Sequence, residues 1–203
     1  MRYRLIFGIV AMELGLCGAA LAADPRFPDW PCNQIKVPEI SIAAVWAGPP
    51  IDDVESTWQE DPSVADLVAR LAARRTPIEE AEKEIAEFVS GSDAARQQKA
   101  KLVFAGLIQT LNQERSKVMN GIERYSRLQK GAAERIRAEA HQLADLQNSA
   151  DRNEDIGELS NRIEWDTRIF DDRRRTISYV CEVPVLIEQR LFALARAIQQ
   201  QLE

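Results

Sequence analysis

Residues 104–150 read FAGLIQTLNQERSKVMNGIERYSRLQKGAAERIRAEAHQLADLQNSA, and no proline occurs from Ser92 to Ala150. Apolar residues recur there in alternating steps of four and three: Phe104, Ile108, Leu111, Val118, Ile122, Tyr125, Ala132, Ile136, Leu143, Leu146 and Ala150. Arg115, Gln129 and Glu139 fill the remaining places of the same stripe. This is a heptad seam. At a rise of about 1.5 Å per residue, a helix from Ser92 to about Ala150 is roughly 87 Å long, far beyond an ordinary globular helix.

Asp151-Arg152-Asn153-Glu154-Asp155 interrupts the pattern. A second seam follows through Ile156, Leu159, Ile163, Asp166, Phe170, Arg173, Ile177, Val180, Pro184, Ile187, Leu191, Leu194, Ile198 and Gln201. Two long helices joined by a short polar turn pack antiparallel. The expected fold class is therefore all-α: a long coiled-coil-like hairpin over 92–203 with its turn near 151–155. Folding the chain at residue 152 places Gln129 near Arg173 and Glu139 near Asp166. Those polar places are either a buried, register-fixing layer or a solvated seam edge. Pro184 deletes one backbone hydrogen bond and is expected to kink the second arm.

Upstream the composition changes. Eight of nine prolines lie between Pro25 and Pro77, and Trp30, Trp46 and Trp58 lie there too. Residues 23–60 read as an extended Pro/Trp-rich lead, and 61–91 as two short helices. The first opens at Asp61-Pro62 and ends near Arg74-Arg75. In the second, Thr76 is the expected N-cap, with Pro77 at the first helical position and Glu79 closing a capping box. It should stop near Ser90-Gly91.

Residues 1–22 read as a secretory signal peptide: Arg2 and Arg4, an apolar run, then Ala20-Leu21-Ala22 before Ala23. Cys17 does not suit lipidation, because Leu16 stands where a small residue is required. Cleavage would leave Cys32 and Cys181, and an even pair in an exported chain is most simply one disulfide. Closing that loop stabilises by roughly 5 kcal/mol in the chain-entropy account. It would clamp the lead across the middle of the hairpin. The expected location is the periplasm of a Gram-negative bacterium, with no transmembrane segment after cleavage.

Charge and composition exclude much chemistry. With 26 Lys+Arg against 32 Asp+Glu, the chain lacks the basic footprint of a nucleic-acid binder. Residues 23–91 carry 6 basic and 14 acidic groups, whereas 92–203 carry 18 and 17: the acidic part is either solvated surface, the usual reading, or weakly attracted to the hairpin through screened charge. A single histidine, His141, leaves no credible catalytic triad. No P-loop, Gly-rich nucleotide motif or haem-attachment motif is present, so neither an enzyme nor a cofactor is expected.

Two metal readings compete with surface charge. His141 shares a helix face with Asp145 and Glu134, with Glu164 on the other arm. Asp151, Asn153 and Asp155 match the first three ligand places of a calcium loop, but Ile156 stands where glycine belongs and Arg162 where glutamate belongs. In the lead, Val45-Trp46-Ala47-Gly48-Pro49-Pro50 joins an aromatic residue to a stiff bend. Trp30, Trp46, Pro49 and Pro50 are thus candidate interaction residues, unless Trp46 simply covers the hairpin core.

Gln109-Thr110-Leu111-Asn112-Gln113 keeps the Thr and Gln of the L-T-x-x-Q motif, with Gln109 in place of its Leu. In this partial motif and in its hairpin architecture the chain resembles periplasmic chaperones of the Spy/CpxP kind. That resemblance implies a holdase for unfolded clients; the Pro/Trp lead departs from the family pattern. The residues themselves favour a non-catalytic accessory or scaffold protein that docks on an envelope partner or on itself. A holdase and a divalent-metal binder at the turn are the alternatives.

Overall fold

A computed structural model describes residues 24–148 and 153–203, with the backbone alone at Asn153 and Glu154. The leader expected at 1–22 and Asp151-Arg152 of the expected turn lie outside the described residues. The described residues are helical with no strand. A short α1 spans Ile42–Val45, α2 Pro62–Ala72, α3 Ile78–Phe88, α4 Asp93–Asn148 and α5 Asn153–Gln200. The α4–α5 pair is the hairpin that the two seams predict. The lead is less uniform than expected, holding α1 and a 3-10 turn at Trp58–Glu60.

Local chemistry explains the helix ends. Asp61 caps α2, its carboxylate accepting from the Ser63 and Val64 backbone N–H groups and the Ser63 hydroxyl. These bonds hold the Asp61 carboxyl below its usual range, the Ser63 hydroxyl contributing most. At the other end of α2 the capping expectation fails. Thr76 makes no capping bond to α3; its hydroxyl donates back to the Arg70 carbonyl at 2.9 Å. A C-terminal carbonyl of α2 lacks an intrahelical donor, and Thr76 supplies one. Arg190 of α5 does the same for Leu71 at 2.8 Å. Gly91, at φ 116°, makes the turn from α3 into α4, a conformation that disfavours any side chain.

The core sits at the open end of the hairpin. Leu67 and Leu71 of α2, Ile85 of α3, Phe104, Leu107 and Leu111 of α4, and Ile187, Leu191, Leu194 and Ile198 of α5 are fully buried. There α2 lies on α4 and α3 on α5, giving a four-helix layer. Pro184 is buried inside α5, which continues on both sides of it. Past Ile122 on α4 and before Cys181 on α5 the described buried side chains thin to Ser126, Ala132 and Leu159. The far half of the hairpin is two helices and little else.

The register differs from the fold at residue 152. Gln129 donates to the Phe170 carbonyl at 3.3 Å, and the Tyr125 hydroxyl to that of Arg173 at 3.2 Å. Glu139 pairs with Arg162 at 3.5 Å instead of facing Asp166. The second helix starts at Asn153, inside the expected turn, so α5 engages α4 about one helical turn earlier. Opposite charges then meet where two carboxylates would have stood. Gln129, Glu139 and Asp166 are half-buried and Arg173 is exposed, a solvated edge; Arg115 alone of the polar seam places is buried, at 4% exposure.

Gly106 sets how closely α2 approaches α4. A Cβ there would lie 2.6 Å from Val68 Cγ2 and 2.9 Å from Trp58 Cε3. Gly→Ala inside a helix is ordinarily worth about 1 kcal/mol of stabilisation. Here overpacking should cost roughly 1–3 kcal/mol and outweigh it. Gly106→Ala should therefore lower the denaturant midpoint; an unchanged or raised midpoint would contradict this packing.

Candidate functional site

The lead runs antiparallel along α4 in the groove between the arms. Asp29 pairs with Arg127 at 3.2 Å and Lys130 at 2.8 Å, Lys36 with Glu123 at 2.6 Å, and Asp53 with Lys101 at 2.6 Å. Later lead residues thus meet earlier α4 residues. The attraction that the charge split allows is realised at Asp29 and Asp53, while Lys36 reverses the signs.

Two regimes hold this lead. From Ile40 onward it is fixed by apolar burial: Ile40, Val45, Trp46, Ile51, Val54 and Trp58 are all buried. Trp46 stacks on Phe104 with ring centroids 4.2 Å apart and planes 11° from parallel. Its indole N–H donates to the Pro49 carbonyl at 2.8 Å, so the Gly-Pro-Pro bend closes over the ring. At 8% exposure, Trp46 covers the core and is not presented to a partner. Pro49 is half-buried and Pro50 exposed.

In residues 24–39 no apolar side chain is more than half-buried, and this segment lies on the arms as a strap. Cys32 is bonded to Cys181, across 149 positions of sequence. Gln34 donates to the Cys181 carbonyl, and Lys130 to the Pro28 carbonyl at 2.7 Å. Trp30 is half-buried, its indole N–H donating to the Gln34 carbonyl at 2.8 Å. The Lys36 ammonium lies 4.5 Å from the centre of the Phe27 ring. The hydrogen bond from Lys130 and then that from Arg127 hold the Asp29 carboxyl below its usual range.

Asn112 marks the boundary between the regimes. Its side chain accepts from the Ile40 N–H at 3.0 Å and donates to the Ile40 carbonyl at 2.9 Å. Arg115 donates to the Val37 carbonyl and approaches Glu188 at 3.6 Å. Burial lowers the Arg115 pKa and Glu188 opposes that, and arginine remains charged. Sequence reading missed Asn112, which opens the polar run Asn112-Gln113-Glu114-Arg115 and carries no local signal of its role. Gln109 and Asn112, inside the partial chaperone motif, are engaged internally: Gln109 accepts from the Trp58 indole at 2.8 Å.

Two grooves flank the strap's attachment. One of about 560 Å³ lies between strap and α5, lined by Pro31, Cys32, Gln34, Cys181, Val185 and Leu186 among others. The other, about 370 Å³, lies between the arms at Val118, Ile122, Tyr125, Ile177 and Val180. The reactive group in this arrangement is the disulfide itself. Among the described residues no three His, Cys, Asp or Glu side chains gather to hold a metal ion. His141 and Asp155 are exposed; Asp151 and the Asn153 side chain lie outside the described residues. No helix among the described residues is long and apolar enough to cross a membrane.

Replacing Asn112 by alanine leaves the buried Ile40 backbone groups without their partners. A cost of roughly 1–3 kcal/mol is expected in chemical unfolding; a neutral variant would refute the anchoring role. The lowered Asp29 pKa gives a signed pH effect. Its contribution is full above the unfolded value of 3.8 and is lost as pH falls through the depressed folded value. The Trp30 indole resonance should move over that acidic range, and Asp29→Asn should remove the movement.

No protein family matches the chain, and no curated protein or solved structure is significantly similar to it.

Proposed function

We propose that this protein is a non-catalytic accessory or scaffold protein of the cell envelope that works by docking its hairpin on another protein. The observation that carries the reading is the contrast between the two ends of the hairpin. One end is closed into a core by α2, α3 and the lead; the other extends as two helices beyond that cover. The extension displays a large aromatic side chain to solvent: Trp165 is 61% exposed. Aromatic side chains held on a rigid element make effective interface anchors. The leader-like sequence at 1–22 and the disulfide support export to an oxidising compartment, which we take to be the periplasm.

A photo-crosslinking amino acid at position 165 tests this in living cells. A single discrete adduct is expected, lost when the same probe sits at a body position such as residue 79. Trp165→Ser should abolish a native pull-down while shifting stability by less than about 0.5 kcal/mol. A smear of many unrelated adducts would favour a holdase. Absence of any adduct, with the pull-down unaffected by Trp165→Ser, would refute the docking reading.

A further inference from the structure

We infer that the Cys32–Cys181 bond is a redox latch: a dithiol reductant acting through the adjoining groove releases residues 24–39 as a unit while the four-helix body stays folded. Three observations lead there. The apolar side chains of 24–39 are at most half-buried, so the strap contributes no apolar core. Its other ties are ion pairs and hydrogen bonds; Lys36–Glu123 and the Arg115 bond to the Val37 carbonyl are shielded, but those at Arg127 and Lys130 involve side chains more than half exposed. Such contacts hold poorly without the covalent link. The strap then ends at Asn112 and Ile40, beyond which the lead is buried and stays attached when the strap opens. A step in local stability at that point makes 24–39 a separable unit.

The groove supplies access. It opens onto both cysteines, of which Cys32 is half-buried and Cys181 buried. The attacking thiolate of the dithiol therefore bonds to the Cys32 sulfur, and the Cys181 sulfur leaves with the electron pair and takes up a proton. The reductant's second thiol then attacks its own sulfur in the mixed disulfide and frees Cys32 as a thiol. The protein gains two electrons and two protons, and the dithiol becomes a disulfide. The opened form uncovers Glu123 and the stretch of α5 around Cys181 that the strap had covered.

Hydrogen exchange of the intact oxidised chain, before and after dithiothreitol, tests the latch. Exchange in 24–39 should accelerate about 100-fold on reduction, while 100–111 and 187–198 change less than about twofold. A Cys32→Ser, Cys181→Ser double variant should exchange like the reduced chain without any reagent. Trypsin supplies a second readout. The Lys36 side chain is only 10% exposed in the closed strap, so cleavage there should appear only after reduction. Undiminished protection of 24–39 after reduction would overturn the inference. So would loss of protection throughout the body, which would make the bond a global staple.

Discussion

Two antiparallel helices bury only one narrow stripe each, and the rest of this molecule depends on how that stripe is covered. At the open end the seam carries Phe104, Leu107 and Leu111 against Ile187, Leu191 and Leu194, more apolar surface than two helices hide from water. Packing α2 and α3 on one side and Trp46 on Phe104 on the other turns a stripe into a core. At the far end the same heptad spacing still carries Ile136, Leu143, Ile163 and Phe170, but no further helix packs on them and they stay half-buried. One hairpin thereby has a rigid body and an extended arm, and the docking reading rests on that difference.

The lead is attached in two stages with different physics. Apolar burial, with no covalent tie, fixes the stretch from Ile40 to Trp58. The strap before it relies on charges, an amide and a single covalent bond. Positions that look equivalent in composition, Trp30 and Trp46, therefore have different roles: one is half-buried over a polar strap, the other is a core residue. The Asn112 side chain, matching the donor and acceptor of one backbone residue, joins the stages.

The hairpin was legible because heptad periodicity over some fifty residues is a redundant signal, and the disulfide because, of three cysteines, Cys17 lies in the expected leader and the other two allow one pairing. The α2 start was legible from Asp61-Pro62. Register was not: it depends on where the second helix begins, and a shift of one turn moved the partner of Glu139 from Asp166 to Arg162. The fate of Thr76 was equally hidden, since its hydroxyl could serve the helix before or after it. The anchoring of the lead required side chains distant in sequence, Asn112 to Ile40 and Arg115 to Val37, which no local pattern encodes. The calcium-like spacing at the turn falls on Asp151 and the Asn153 side chain, which lie outside the described residues.

The central claim is that the lead lies antiparallel on α4 between the arms, and carbodiimide crosslinking with mass spectrometry tests it most directly. This zero-length reagent joins only carboxylates and amines already in contact. The account predicts three links in one molecule, Asp29 to Lys130, Lys36 to Glu123 and Asp53 to Lys101, in descending order along α4. Links from Asp29 or Lys36 to the first turns of α4, or none between the lead and α4, would contradict it.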